Sequence, residues 1–167
     1  MLNLGQSLPG SAVKDLLIVG LDCENNSLGQ LPTQFQIALS ILDTRHLQRN
    51  TSDGDLLRTY QFIVGSPKYF KEASKAICFG QSKHVSFQDL NKEIGDAVAG
   101  RDILLVVYGA GYTIPFLEIA GIRLRPLFIL DVLKVAQHLL DLSYRIKLEE
   151  MLKLLGCMQS TWFLRRR

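Results

Sequence analysis

Residues 16–24 read LLIVGLDCE, and this stretch decides the fold. The unbroken apolar run predicts a strand over Asp15–Asp22 that is buried on both faces of a sheet. Side chains two residues apart in a strand point to the same face. Asp22 and Glu24 are therefore expected to lie side by side where this strand ends.

Two carboxylates so close repel each other, and the pKa of one rises unless a cation lies between them. Mg²⁺ and Mn²⁺ prefer such oxygen ligands, and two of these ions roughly 3.5–4 Å apart can promote phosphodiester hydrolysis. Asp22 and Glu24 are thus the candidate metal-binding and catalytic residues. Taken alone, such a pair more often marks a solvated strand end, here running into the turn NNS (25–27).

The composition is that of one globular domain. The 167 residues are 47% apolar and 21% charged, and 19 basic against 16 acidic residues give a net charge of +3. This small excess neither requires nor excludes a nucleic-acid partner. Three widely spaced cysteines argue against a zinc site or a disulfide framework. Without a signal-like start or a long apolar run, we expect a protein of the nucleus or cytoplasm with no membrane partner.

Strands dominate the first half of the chain, where two more are expected at Phe35–Leu42 and Arg58–Val64. In the second half, strands at Ile103–Tyr108 and Leu127–Leu130 alternate with helical patterns. The expected helices run from an N-cap at Ser86 to a stop at Gly100, from Ile114 to Gly121, from Val132 to Leu140, and from Tyr144, after an N-cap at Ser143, to Leu155.

This order predicts an α/β fold with a mixed five-stranded sheet, in which three antiparallel strands are followed by parallel strands and helices flank both. It is the outline of an RNase H-like fold. We expect the domain over residues 15–157, after a loose leader (1–14) and before an atypical basic tail (158–167).

The motifs, taken in order, resemble those of the DEDD superfamily of 3′–5′ exonucleases, the DnaQ-like nucleases with an RNase H fold. More narrowly, they are similar to a fungal RNase H-like family that is typified by a protein supporting a DEAD-box mRNA-export helicase and is related to an exonuclease that partners a gene-silencing Argonaute. The resemblance covers about residues 15–157. It is carried by LLIVGLDCE (16–24), QIALSILDTRHL (36–47), ICFGQSKHVSFQDLNKEI (77–94), LLVVYGAGYTIPFLEIAGI (104–122), ILDVLKVAQ (129–137) and KLEEMLKLLGC (147–157).

Four acids from three motifs bind the metal ions in that superfamily, so the resemblance implies that Asp22 and Glu24 are the first two. The third acid position falls on Thr113, for which we expect the role of a helix N-cap. Gln36 stands where the family's second strand usually has an acid, and YGA (108–110) replaces the histidine beside the third motif.

The fourth acid, the general-base histidine and the closing helix should follow residue 157, where the chain reads MQSTWFLRRR (158–167). A truncated or alternatively spliced reading frame and a naturally shortened paralogue both account for this ending. We expect the closing helix to be absent.

Other candidate residues have a simpler interpretation. Asp131 follows a strand and opens a helix, where the helix dipole favours an acid regardless of any metal. His46, His84 and His138 are expected on polar connections or a helix surface, and FGQSKH (79–84) is expected to be a surface connection.

The sequence therefore predicts a nucleic-acid-binding RNase H-like domain whose degenerate exonuclease site is inactive in this form. Loss of the general base alone lowers the rate of hydrolysis about 10²–10⁴-fold. RNA or single-stranded DNA would enter the cleft above Asp22 and Glu24, with Mg²⁺ or Mn²⁺ as the metal if one is bound. Two alternatives remain open: an active metal-dependent exonuclease in a longer form, and a noncatalytic protein-interaction scaffold in mRNA export or silencing.

Overall fold

The computed structural model describes residues 16–24, 30–48, 56–76 and 80–156. Strands and helices follow one another in a mixed order along the chain. The strands are β1 (Leu17–Glu24), β2 (Phe35–Asp43), β3 (Leu57–Val64), β4 (Gln81–His84), β5 (Ile103–Val107) and β6 (Phe128–Asp131). The α-helices are α1 (Pro67–Ala73), α2 (Phe87–Val98), α3 (Ala110–Ile119), α4 (Val132–Leu139) and α5 (Leu148–Leu154), and short 3-10 helices cover Thr44–Gln48 and Ser74–Ala76.

The six strands form one mixed sheet in the order β4-β3-β2-β1-β5-β6. β1, β2 and β3 are an antiparallel meander. β4 adds to β3 in parallel, and β5 and β6 add in parallel on the other side of β1. The predicted α/β class and mixed sheet flanked by helices are confirmed.

One face of the sheet, which we call the core face, carries the main apolar core. Successive residues of β1 alternate between buried and more exposed, with Leu17, Val19, Leu21 and Cys23 on the buried side. Helices α2 and α3 cover this face, α2 through Leu90 and Ile94 and α3 through residues that include Phe116. Burial of each such side chain stabilises the fold by about 1.5–3 kcal/mol.

The opposite face, which we call the open face, carries Gly20, Asp22, Glu24, Ala38 and Ser40. Glu24 lies opposite Gln36 in the register with β2, and Gln36 donates to the Tyr69 hydroxyl of α1 at 3.1 Å. Helix α1 therefore covers the part of the open face that β2, β3 and β4 form. At the other side, α4 and α5 build a small second core that includes Leu133 and Met151 and packs against Tyr108.

The expected count of five strands is wrong, because Gln81–His84 forms β4 instead of a surface connection. Four mostly exposed residues carry no apolar alternation, so the pattern gave no strand signal. Helix α1 was not anticipated either, since seven residues are too few for a clear helical period. Its start is nonetheless marked by Ser66, whose hydroxyl accepts from the Tyr69 N–H, with Pro67 at the first helical position.

Two predicted helix starts are wrong. Helix α3 begins at Ala110, four residues before Ile114, because the Asp131 carboxylate accepts the Gly109 and Ala110 N–H groups at 3.0 and 2.8 Å. Helix α5 begins after Lys147, so Ser143 is not its N-cap. The carbonyls of Tyr144 and Ile146 instead accept hydrogen bonds from other elements.

Within the part of the chain that the structure describes, no helix combines the length and apolarity that crossing a membrane requires. The leader (1–14), the tail (158–167) and the expected loss of the closing helix lie outside the described residues.

Asp43 links the two strands that flank β1 at the end remote from the acid pair. Its carboxylate is only 7% exposed and accepts from the Arg45 side chain at 2.6 Å and from Arg101 at 3.0 Å. Arg45 is the main cause that lowers the pKa of Asp43 well below its usual range; burial opposes this shift and Arg101 reinforces it. The ion-pair cluster thus joins the end of β2 to the start of β5.

We expect Asp43→Asn to lower the free energy of unfolding at pH 7 by about 1–3 kcal/mol, because hydrogen bonds to a charged group are lost. A depressed carboxyl pKa stabilises the fold above the unfolded pKa of about 3.9. This contribution is lost progressively as the pH falls from about 4 to the lower folded value, so the stability difference between the two proteins shrinks below about pH 4. Urea unfolding as a function of pH measures both effects.

The exposed Asp102 provides the matched control, because Asp102→Asn removes a charge of the same kind from a carboxylate that takes no part in the ion pairs of this cluster. Equal stability losses in the two variants at pH 7 would contradict the role assigned to Asp43.

Candidate functional site

The two predicted site residues lie on the open face of β1. Asp22 and Glu24 are exposed, whereas Cys23 between them is buried. β1 is flanked by β2 and β5, with Asp22 opposite Ala38 and Leu21 opposite Val107. Because β5 runs parallel to β1, the carboxyl ends of these two strands meet at the same edge, where ligands bind in open α/β sheets. The alternation of side chains along β1 thus places Asp22 and Glu24 on the same face, as expected.

The charges of the two carboxylates act on the buried Cys23 thiol between them. The pKa of the Cys23 thiol is raised to about 12, mainly by burial and in smaller part by the neighbouring Asp22 and Glu24 charges. Cys23 is therefore a neutral, buried thiol at physiological pH and adds no negative charge to the two carboxylates.

Thr113 does not cap a helix, which corrects the expectation from sequence. It is the fourth residue of α3, its side chain is buried, and its hydroxyl contacts the Gly109 carbonyl at 3.5 Å. The N-cap of α3 is Gly109, with φ of 89°. The buried Thr113 hydroxyl is neutral and already contacts a backbone carbonyl, so Thr113 adds no negative charge to the acid pair.

Asp131 has the helix-terminal role favoured from the sequence. It is the N-cap of α4, and its carboxylate accepts from the Leu133 N–H at 3.0 Å as well as from Gly109 and Ala110. Burial raises the pKa of Asp131, but these backbone donors outweigh burial and lower it overall. Its oxygens are thus already used to join the end of β6 to the start of α3.

Gln36, at the position where the resemblance implies an acid, belongs to a polar chain that was not anticipated. Ser82 donates to the Gln61 amide oxygen at 2.6 Å, and Gln61 donates to the Gln36 amide oxygen, also at 2.6 Å. Gln36 in turn donates to the Tyr69 hydroxyl at 3.1 Å. Both ends of the Gln36 amide are engaged, so it orders the wall beside Glu24 and supplies no negative charge.

These residues fit at most one hard cation, held by two carboxylates and water, and they do not fit a two-metal centre. Among the described residues, no group of three or more histidine, cysteine, aspartate or glutamate side chains is placed to hold a metal ion. Of the three histidines, His84 lies on β4, not on a connection, and is occupied by a contact with the Gly65 carbonyl and by stacking on Phe70.

The acid pair lies on the part of the open face that α1 on one side and α4 and α5 on the other leave exposed, which we call the groove. Gly20, Ala38 and Ser40 share the open face with the pair, and none of them projects a large side chain. Two cavities, of about 460 and 410 Å³, lie elsewhere, and neither contains the pair. The exposed acid pair is therefore accessible to an extended ligand.

Cationic side chains lie on the elements that flank β1 on either side. On the side of β2 and β3, α1 and the turn after it carry exposed Lys68, Lys71 and Lys75, with the exposed Glu72 among them. On the other, Arg145 lies over the Tyr112 ring at 5.1 Å and approaches Gly109. The cation–π contact holds the arginine beside the end of β5. A basic residue within a polar connection offers no periodic signal, so the sequence did not identify Arg145.

A comparison of the sequence with models of known protein families finds no match, and neither does a comparison with curated proteins.

We expect Asp131→Ala to destabilise the fold by about 1–2 kcal/mol, because the cap of α4 is lost and the Gly109 and Ala110 N–H groups lose their acceptor. Asp131→Asn retains one side-chain oxygen and should cost less. Chemical denaturation of both variants at pH 7 measures the difference. An unchanged stability of Asp131→Ala would show that these hydrogen bonds do not hold α3 and α4 in place.

Proposed function

We propose that this chain is a nucleic-acid-binding RNase H-like domain whose exonuclease-type metal site is degenerate and catalytically inactive. Single-stranded RNA or DNA lies along the groove above Asp22 and Glu24. The observation that carries the proposal is the pairing of two adjacent, exposed carboxylates with exposed cationic side chains on both sides of them.

The charge pattern supports an extended phosphate chain as the ligand. Exposed lysines on α1 and Arg145 opposite them provide contacts to successive phosphates, which supply most of the affinity of sequence-independent binding. Tyr112 is 53% exposed beside Arg145 and offers a surface on which a base can stack. The neutral amide of Gln36 near Glu24 also reduces repulsion of the backbone compared with an acid at that position.

The topology supports the RNase H-like part of the proposal. An antiparallel meander of β1, β2 and β3 is followed by β5 and β6, which are parallel to β1 on its other side. This is the outline that the sequence resemblance implies. β4 is an addition at the far edge of the sheet, next to β3.

The proposal that the site is catalytically inactive rests on how few metal ligands it provides. Two ions about 3.5–4 Å apart need more carboxylate oxygens than Asp22 and Glu24 provide. Thr113 is neutral and buried, and Asp131 is bonded to backbone N–H groups. Asp22 and Glu24 would hold a single hard ion, which would neutralise their charge next to a phosphate chain.

Binding of a fluorescent single-stranded RNA of about 12 nucleotides, followed by anisotropy, tests the proposal. We expect Arg145→Gln and the double variant Lys68→Gln/Lys71→Gln to weaken binding. Each lost phosphate contact should reduce the slope of log affinity against log salt by about 0.7. Lys92→Gln is the matched control, since this exposed lysine is on α2, which covers the opposite face of the sheet.

Substitution of Asp22 tests whether RNA binds beside the acid pair. With a chelator present, Asp22→Asn removes a charge that repels phosphate and should tighten RNA binding about two- to five-fold. No change would place the ligand away from the groove. No RNA or DNA binding at low salt would contradict the proposal and favour a protein-interaction scaffold, while Mn²⁺-dependent degradation abolished by Asp22→Asn would contradict the inactive assignment.

A further inference from the structure

The main chain around Arg145 is held by hydrogen bonds on both sides of this residue. Arg145 lies in the connection between α4 and α5, in a stretch that belongs to no helix or strand. The Tyr108 hydroxyl donates to the Ile146 carbonyl, and the Gln137 side-chain amide donates to the Tyr144 carbonyl at 2.9 Å. Tyr108 follows β5 and Gln137 lies on α4, so two separate elements fix the residues immediately before and after Arg145.

The side chains of this connection are held as well. Ile146 is only 3% exposed and belongs to the second core. The Arg145 guanidinium lies over the Tyr112 ring, 5.1 Å from its centre, which is a cation–π contact. A Cβ atom on Gly109 would lie 3.5 Å from Arg145 Nη2, so the guanidinium also lies close to the start of α3. Arg145 is thus an exposed cation whose main chain and guanidinium both have fixed neighbours.

This arginine lies on the β5 side of the acid pair. Val107, the last residue of β5, is opposite Leu21 in the parallel register, so Tyr108, the next residue, comes beside Asp22. Burial raises the pKa of the Tyr108 hydroxyl, and the nearby charge of Arg145 opposes this shift. The hydroxyl that holds the connection is therefore close both to the groove and to the arginine.

We propose that Tyr108 and Gln137 are positioning residues, which hold Arg145 beside the acid pair before a nucleic acid binds. This inference rests on the proposed function, because it takes the ligand of Arg145 to be a phosphate of a single strand. A mobile arginine loses conformational freedom when it binds a phosphate, and this loss opposes association. An arginine that is already ordered loses less, so the same phosphate contact contributes more to the affinity.

The salt dependence of RNA binding separates positioning from charge, because its slope counts the phosphate contacts. Tyr108→Phe and Gln137→Leu remove one hydrogen bond each and keep the charge of Arg145. Each should weaken binding of the fluorescent RNA about two- to ten-fold and leave the slope of log affinity against log salt unchanged. Arg145→Gln removes the contact itself, so it should also lower that slope by about 0.7.

Tyr60→Phe and Gln88→Leu are the matched controls. Tyr60 packs against the main core from β3, and the exposed Gln88 lies on α2, so both belong to the core face. Neither substitution should change RNA binding. A double-mutant cycle excludes a general loss of structure: in a chain that carries Arg145→Gln, Tyr108→Phe should have no further effect on RNA affinity.

The order of Arg145 in the free protein is measured by ¹⁵N relaxation of its Nε–H group, which reports motion on the picosecond to nanosecond timescale. We expect an order parameter above about 0.6 in the wild type. In the double variant Tyr108→Phe/Gln137→Leu it should fall below that value, while the backbone order of α2 stays unchanged.

A mobile Arg145 in the free wild type would overturn the proposal. So would positioning variants that bind RNA as tightly as the wild type, or a loss of affinity from Tyr108→Phe that is equally large with and without Arg145. Failure of the proposed function gives a different result: the wild type then binds no RNA at low salt although Arg145 is ordered, and the phosphate contact is contradicted together with that function.

Discussion

The alternation of side chains along β1 is the constraint on which the rest of the structure depends. Leu17, Val19, Leu21 and Cys23 must face the core, since β1 is the central strand that joins the antiparallel meander to the parallel part of the sheet. A shift of one residue in register would expose this whole apolar set. Asp22 and Glu24 are thereby forced onto the open face together, and their proximity costs electrostatic free energy that core burial offsets.

The surroundings of the pair decide what this charge can do. The Asp131 carboxylate at the end of β6 accepts N–H groups at the starts of α3 and α4, and Gln36 belongs to a chain of hydrogen-bonded amides that ends on α1. Neither adds charge to the pair. Positive charge is provided by the lysines of α1 on one side of β1 and by Arg145 on the other. This arrangement suits a phosphate chain that bridges the walls more than a pair of catalytic ions.

Much of the sheet could be predicted because its strands have strong local signals. The runs in β1, β2 and β5 are apolar or alternate, and their order fixed the meander and the parallel addition. β4 could not be predicted, since Gln81–His84 is polar and is a strand only because β3 offers a free edge. The start of α3 is likewise set by Asp131, twenty-one residues beyond Ala110. The acid pair followed from strand periodicity, whereas Arg145 and the chain from Ser82 to Tyr69 depend on contacts between distant segments. The RNase H-like ancestry stays a prediction.

Metal binding tests the central claim most directly, because it counts the ligands that the groove supplies. Electron paramagnetic resonance of free Mn²⁺ during titration into the protein gives both stoichiometry and affinity. The account predicts no more than one weakly held ion per chain, with a dissociation constant on the order of millimolar, and loss of that site in the Asp22→Asn/Glu24→Gln variant. Two ions per chain bound in the micromolar range and removed by the same substitutions would contradict it.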